Sequence, residues 1–287
     1  MADATGIPFK KIQHIHMIGE LTKGSCSLYG AWGNATEDGT LHQLRALDWD
    51  VDGPFKNHPE IVVYHPTKGA GNGHAFANVA WAGFVGSITG ISSQQMAISE
   101  IGVSFPDATF GKESRFGVPF TYLLRDILQF DVDLAASEMH LKNAARTCDL
   151  IFGVGDGKTN EFRSVQYSAS VANFYTDMDM EPEEDWHPRM QHVVYYGMDW
   201  LCPTYTSVFH TQLAKNYGSI SAATTIQDIV PIVQTGDLHI ALYDLSKMVM
   251  HVSVARRDGQ TGPTMAYDRA FIQMDMNAIF AEAPPSL

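Results

Sequence analysis

The sequence predicts an α+β protein in which antiparallel strands alternate with pairs of helices. Three observations carry this. Short apolar runs separated by turn residues recur through residues 24–104, 150–168 and 239–275. Residues 120–146 and 206–234 instead carry apolar side chains at helical spacing. The chain has 287 residues, 45% of them hydrophobic and 18% charged, with no linker-like segment and no internal repeat. That describes one domain with a sizeable core, preceded by an N-terminal arm. The order is strands, two helices, strands, two helices, strands, which calls for sheets with helices packed against them.

Taking the elements in order, Phe9, Ile12, Ile15, Ile18 and Leu21 recur every third residue, with Lys10, Lys11 and Glu20 between them. This suits one short amphipathic helix or an irregular packed arm. Residues 24–52 read as two strands joined by a hairpin that turns at Asp38-Gly39. Cys26 opens the first strand, and Arg45 and Asp48 lie near the end of the second. An antiparallel return brings the thiol, the guanidinium and the carboxylate to one corner. An arginine beside a cysteine favours the thiolate, and a carboxylate can hold an amine by hydrogen bonding. A lone cysteine is ordinarily a small buried hydrophobe. The residues around Cys26 set it apart.

A small-residue pair, a cysteine and an Arg-x-x-Asp about twenty residues on resemble the N-terminal nucleophile (Ntn) hydrolases of the choloylglycine hydrolase, acid ceramidase and penicillin acyltransferase superfamily. The wording CSLYGAWG…LHQLRALDWD is similar to the acid-ceramidase-like, peptidase C45-like branch, which includes the Dcd1-type proteins. The similarity runs from about Met17 to the C-terminus. It implies a four-layer αββα sandwich, two antiparallel sheets face to face with helices outside. It also implies a chain cut between Ser25 and Cys26, so that residues 1–25 are a prosegment arm and residues 26–287 the catalytic domain. The freed α-amine of Cys26 then serves as base for its own thiol. Family members are often lysosomal or secreted. The opening Met-Ala-Asp-Ala-Thr-Gly shows no basic segment leading into an apolar core, so no signal peptide is visible. The Asn34-Ala-Thr36 sequon fits a secretory origin, although such triplets are common by chance. The compartment stays open.

After the hairpin, Asp48, Asp50, Asp52 and Gly53 imitate the start of a calcium loop. Its twelfth position is Pro59 instead of a bidentate glutamate, so no calcium site is expected. Strands are expected at Ile61–Tyr64, His74–Ala80, Phe84–Ile88 and Met96–Val103, with Gly69, Gly71 and Gly73 forming a flexible tip. By the resemblance, the last of these carries polar groups that face the nucleophile, which makes Glu100 and Ser104 candidates. Relatives have an asparagine near here for the oxyanion hole and this chain has none; a backbone N–H can serve instead.

Helices are expected at Phe120–Phe130 and from the cap Asp133 through Arg146. Leu150–Val154 and Phe162–Ser168 read as a hairpin over Gly153–Gly157. That glycine run is read as a turn, because no helix opens after it to make a phosphate cradle. The acidic run Asp177–Asp185 reads as an exposed loop. Residues 193–203 follow, where relatives bring an asparagine to the oxyanion and this chain has Tyr196 and Asp199. A tyrosine hydroxyl can donate there; an ionised aspartate cannot, and would suit the nucleophile's ammonium. Helices at Thr206–Tyr217 and Ala222–Gln234 come next, the second kinked or ended early by Pro231. Strands His239–Asp244, Met248–Ala255 and Phe271–Asp275 close the chain. The resemblance suggests that Arg256 or Arg257, at the end of such a strand pair, reaches the site.

A net charge of −13 argues against nucleic acid and anionic membrane surfaces as partners. No run of eighteen apolar residues is present to span a membrane. Cys26, Cys148 and Cys202 form neither a closed disulfide framework nor a metal-binding spacing, and the chemistry calls for no metal and no cofactor. The expected function is therefore an autoprocessed cysteine hydrolase acting on a small-molecule N-acyl amide, with an acyl-enzyme on Cys26. Trp32, Trp49, Phe84, Phe105, Met198 and Trp200 are the expected walls of an apolar acyl site. The alternatives are a phospholipase B-like ester hydrolase and a non-catalytic member of the fold.

Overall fold

The computed structural model describes residues 1–67 and 71–283. An arm of three short helices comes first, α1 (Ala2–Thr5), α2 (Phe9–His16) and α3 (Ile18–Leu21), followed by the hairpin β1 (Ser25–Ala31) and β2 (His42–Asp48). Strands β3 (Pro59–Tyr64), β4 (Phe76–Trp81), β5 (Gly90–Ser92) and β6 (Met96–Gly102) lead to helices α4 (Phe120–Phe130) and α5 (Leu134–Asn143). Then come β7 (Asp149–Asp156), β8 (Glu161–Ser168), β9 (Ala172–Tyr175), β10 (Val193–Met198) and α6 (Pro203–Lys215). The last part holds α7 (Ala222–Thr224), α8 (Val230–Val233), β11 (His239–Asp244), β12 (Val249–Val254), β13 (Ile272–Asp275) and α9 (Met276–Ala281).

The strands form two antiparallel sheets, one of six in the order β10-β1-β2-β11-β12-β13 and one of seven running β3 through β9. Helices flank them, as the αββα reading expects. β1 and β2 are buried almost throughout because they are sandwiched on both faces. One face meets the seven-stranded sheet, where Gln43 Nε2 donates to Ser99 Oγ at 2.9 Å. On the other, Tyr29 packs against Phe209 of α6, and its hydroxyl shares a 2.7 Å hydrogen bond with Thr225. Helix α4 buries Phe120, Leu123, Leu124, Ile127 and Leu128, a stripe at helical spacing, against Ile98, Leu150 and Phe152 of the seven-stranded sheet. Each such leucine contributes roughly 1.5–3 kcal/mol relative to exposure. Asp133 caps α5 by accepting from Ala136 N at 2.8 Å.

Several expectations are corrected. Of the two forms expected for the arm, the single helix is not the one seen: three short helical pieces make an irregular packed arm. Phe84–Ile88 is not a strand: its polar groups are taken by Asn78, whose Nδ2 donates to Gly86 O, and by Thr121, whose carbonyl accepts from Ser87 N. The short β5 takes its place in the sheet. Gly153 and Gly155 lie inside β7 and not in a turn. The acidic run is the exposed loop expected, with Met180 buried beneath it and Arg189 bridging Glu181 and Glu183 at 3.1 and 3.0 Å. Pro231 acts as expected, with a π-helical turn at Thr225–Ile229 ahead of it and Gln234 in the left-handed region at φ 54°. Strand β9 and helix α9 were not read from the sequence. Of the glycine tip, Gly69 lies outside the described residues.

The close approach of the two sheets depends on missing side chains. A Cβ on Gly30 would sit 2.2 Å from the Phe162 ring, and one on Gly153 would sit 2.6 Å from it. Gly30→Ala is therefore expected to destabilise the protein by about 1–3 kcal/mol through overpacking. Urea unfolding measures this, and trimming the ring with Phe162→Leu in the Gly30→Ala background should recover part of the loss.

Candidate active site

The hairpin register sets the site. Ser25 stands opposite Asp48, Cys26 opposite Leu47 and Leu28 opposite Arg45, while Cys26 faces Met198 on its other side. Opposed residues share a face of the sheet and neighbours alternate. The side chains of Cys26 and Arg45 thus share the face toward the other sheet, and Asp48 and Ser27 share the face toward the helices.

Arg45 is fully buried. Its Nε donates to Ile88 O at 3.2 Å, Nη1 to Ala46 O at 2.8 Å and Nη2 to Glu100 Oε2 at 3.2 Å. Its charge also acts on the Cys26 thiol. Burial pushes that thiol up to about 12, and the Arg45 charge opposes the shift without cancelling it. In the continuous chain the sulfur is therefore a neutral thiol. Burial also raises the Glu100 carboxyl, again against the pull of Arg45.

Asp48 is held by three consecutive residues of the turn after α8. The Thr235 hydroxyl donates to Oδ2 at 2.6 Å, and Gly236 N and Asp237 N donate to Oδ1 at 2.7 and 3.0 Å. Gly236 adopts φ 91°, and a Cβ there would lie 2.2 Å from Ile240, so the turn needs glycine on both counts. Burial raises the Asp48 carboxyl to about 7, and these donors limit the rise. A carboxylate offers about four acceptor positions, so three donors leave room for one more.

Cys26 opens onto a small apolar cavity of about 60 Å³ walled by Trp49, Phe55, Trp81, Phe84, Ile88 and Phe120. Ile18, Gly19 and Thr22 of the arm close it. The arm is tied down around this point. His16 Nε2 accepts from Val85 N at 2.9 Å. The Glu20 carboxylate accepts from Phe120 N at 2.8 Å, at the start of α4, and from Thr147 Oγ1 at 2.9 Å. Lys23 pairs with Asp149 at 3.3 Å.

The structure brings Cys26, Arg45, Asp48 and Glu100 together, along with the Ser25–Cys26 bond. The other candidates are engaged elsewhere. Ser104 is exposed, and its backbone N donates to Asp199 Oδ2 at 2.7 Å. Asp199 also accepts from Phe105 N and Trp200 N, so its carboxylate serves that turn and not an ammonium at Cys26. The Tyr196 hydroxyl donates to Glu181 O at 2.6 Å, which takes its only proton away from any oxyanion. Arg256 donates to Gly262 O and Arg257 is exposed. Both follow β12, three strand spacings from β1 in the sheet order, or roughly 14 Å. Of the expected walls, Trp49 and Phe84 line the cavity. Phe105 is exposed, Trp32 packs on His192, and Trp200 packs on Phe110. Phe55, Trp81, Phe120 and the Thr235–Asp237 cradle were missed. The helix-breaking Pro231 followed by Thr-Gly-Asp was the available signal for the cradle.

Among the described residues one trio, Asp38, His42 and Asp244, is spaced to hold a metal ion. The Lys247 ammonium already sits on both carboxylates, at 2.6 and 2.9 Å, and fills the cation's role. Asp50 Oδ1 accepts from Asp52 N at 2.7 Å, a local turn. Among the described residues no helix is long and apolar enough to cross a membrane.

No family model matches the chain. Two curated proteins of Dictyostelium discoideum do. Protein dcd1A is 38% identical over 295 residues, 98% of this chain, and protein dcd1B is 33% identical over 297 residues, 99% of it. The chain spans 66% and 58% of their respective lengths. Among solved structures, a Caenorhabditis elegans N-acylethanolamine-hydrolyzing acid amidase ortholog superposes with a TM-score of 0.58 at 14% identity, over 77% of this chain and 93% of that one. A conjugated bile acid hydrolase from Clostridium perfringens gives 0.57 at 11% identity, over 88% and 93%. Penicillin V acylase from Agrobacterium tumefaciens gives 0.53 at 12% identity, over 88% and 86%.

Two measurements check the electrostatics of the site. Arg45→Met leaves Glu100 buried and unpaired and should cost about 3–5 kcal/mol. Adding Glu100→Gln should return part of that, a coupling on the order of 1–3 kcal/mol in a double-mutant cycle. Asp48 titrates higher in the folded protein, about 7 against an ordinary 3.8, so the folded state holds the extra proton between those values. Its contribution to stability is present below pH 4 and lost as pH rises through 7. Asp48→Asn should remove this slope from unfolding free energies measured across that range.

Proposed function

The chain is a homologue of the Dcd1 proteins built on the Ntn-hydrolase fold, and from that premise we propose that it is an autoprocessed cysteine hydrolase of N-acyl amides. One observation carries the reading: a buried cysteine under the charge of a buried arginine, in a strand whose first residue, Ser25, pairs with Asp48. The solved neighbours are by name an amidase, a conjugated bile acid hydrolase and a penicillin acylase, and they support the general class.

In the continuous chain the α-nitrogen of Cys26 is part of a peptide bond. The Cys26 sulfur attacks the Ser25 carbonyl, the C–N bond breaks, and water hydrolyses the resulting thioester. This frees a Ser25 carboxylate and the Cys26 α-amine. A neutral α-amine, with a pKa near ~8, is a usable base at neutral pH. It takes the thiol proton, and the thiolate attacks the substrate carbonyl to form an acyl-enzyme. The ammonium then protonates the departing amine, and water releases the acid. Arg45 stabilises the anionic sulfur, Asp48 receives the ammonium in its open acceptor position, and Glu100 holds Arg45. Backbone N–H groups are left to hold the oxyanion, since Tyr196 and Ser104 are engaged elsewhere.

The burial that keeps Cys26 a neutral thiol comes in part from the arm. Displacing Ile18, Gly19 and Thr22 would hydrate the site and leave the pull of Arg45 in force. It would also enlarge a cavity of about 60 Å³, far below the ~300–1,000 Å³ of a working ligand pocket. The aromatic walls then suit an unbranched acyl chain, each buried CH₂ adding ~0.8 kcal/mol.

Freshly made protein should convert to a fragment beginning at Cys26, and Cys26→Ala should stay intact; mass spectrometry over several pH values reads this directly. The processed enzyme should hydrolyse lauroyl amides faster than acetyl amides in a fluorogenic series. Absence of any fragment would favour the non-catalytic alternative, and turnover confined to esters the phospholipase B-like one.

A further inference from the structure

Behind the nucleophile strand runs a line of hydroxyl groups that the proposed mechanism does not use. Thr235 is fully buried, and its Oγ1 lies 2.6 Å from Asp48 Oδ2 and 2.7 Å from Ser27 Oγ. Ser27 Oγ in turn accepts from Met198 N at 3.2 Å. Each hydroxyl has one proton to give. Thr235 Oγ1 is placed to donate to either Ser27 Oγ or Asp48 Oδ2. With Asp48 ionised, its single proton goes to the carboxylate, the stronger acceptor. With Asp48 protonated on Oδ2, that proton points at Thr235, whose own proton turns to Ser27 Oγ, already an acceptor from Met198 N.

We propose that Thr235 is a positioning residue for Asp48, favouring the ionised form of its carboxylate and leaving its open acceptor position for the Cys26 nitrogen. Ser27 follows the nucleophile and Met198 stands opposite it, so the line is anchored on both strands that hold Cys26. Met198 has φ 71°, and Asp199 N donates back to Gly197 O at 2.9 Å, a tight turn that is rare for a non-glycine residue. The Met198 sulfur lies 3.9 Å from Thr235 Oγ1. Thr235 itself is fixed by the residues around it, between Gln234 and Gly236, both at positive φ.

The charged and titratable groups acting on Asp48 from the packed elements are Asp237 beside it, Cys26 on β1 and Tyr267 of the turn before β13. All three become anionic when they ionise, so none of them favours the carboxylate. That task falls to the donors, and among them only Thr235 is a side chain. A hydrogen bond to a charged group is worth about 1.5–3 kcal/mol, or roughly one to two pKa units.

This inference rests on the hydrolase reading for the role of Asp48, and the test separates the two. In Cys26→Ala protein, which stays continuous, ¹³C-carboxyl NMR follows the Asp48 titration with Thr235 intact, with Thr235→Val and with Thr235→Ser. In cleaved protein, the same Thr235 variants are followed for the pH dependence of amide turnover. The expected result is an Asp48 titration raised by about one to two units in Thr235→Val and restored in Thr235→Ser, with the acid limb of turnover moving in the same direction. If Thr235→Val does not fold by circular dichroism, Thr235→Cys, a weaker donor, should give a smaller shift in the same direction. An unmoved Asp48 titration in a folded variant overturns the proposal. So does a moved titration with an unmoved turnover profile. A parent chain that never cleaves overturns the hydrolase reading instead, and the NMR titration still decides whether Thr235 sets the charge of Asp48.

Discussion

The buried guanidinium of Arg45 is the constraint around which this molecule is arranged. A cation without solvent costs several kcal/mol unless its donors and charge are matched. Here they are matched by groups drawn from separate parts of the chain: Ile88 O from the loop before β5, Ala46 O of β2 and Glu100 from β6. Satisfying Arg45 therefore fixes how the two sheets meet.

The same burial creates opposed demands on Cys26. Removing water raises the thiol, and the arginine lowers it, so the two effects compete on one sulfur. In the continuous chain burial wins, because the arm completes the enclosure. The arm's anchors at His16, Glu20 and Lys23 all lie upstream of Ser25 and hold it independently of the strand that carries Cys26. Asp48 shows the same contest on the helix side of the sheet, where three donors work against a buried environment. Thiol and carboxylate are thus tuned from opposite faces of one hairpin, and the Asp48 charge adds to the rise of the thiol.

Some of this was legible in the residues. Cys26, Arg45 and Asp48 are close in sequence, and a hairpin of that length admits one plausible pairing, so local pattern was enough to bring them to one end. Helix α4 and its apolar stripe were legible for the same reason. Glu100 came from the resemblance, and its pairing with Arg45 came from the fold. Tyr196, Asp199 and Ser104 looked suitable as residue types, but each has a nearer partner that only three-dimensional packing supplies. A polar group's role depends on which donor or acceptor reaches it first, and sequence spacing does not say.

By itself, then, the sequence determined the antiparallel class and the hairpin that gathers Cys26, Arg45 and Asp48 at one end, because period-two patterning and turn residues act over a few residues. The tertiary structure decided the rest. It put Phe55, Trp81 and Phe120 around the thiol, it set Thr235, Gly236 and Asp237 on Asp48, and it laid the arm across the cavity. Thr235 is 187 residues from Asp48 in the chain. Their contact exists because β2 and β11 pair in register, and that pairing is settled by how both sheets pack, not by any pattern local to either residue.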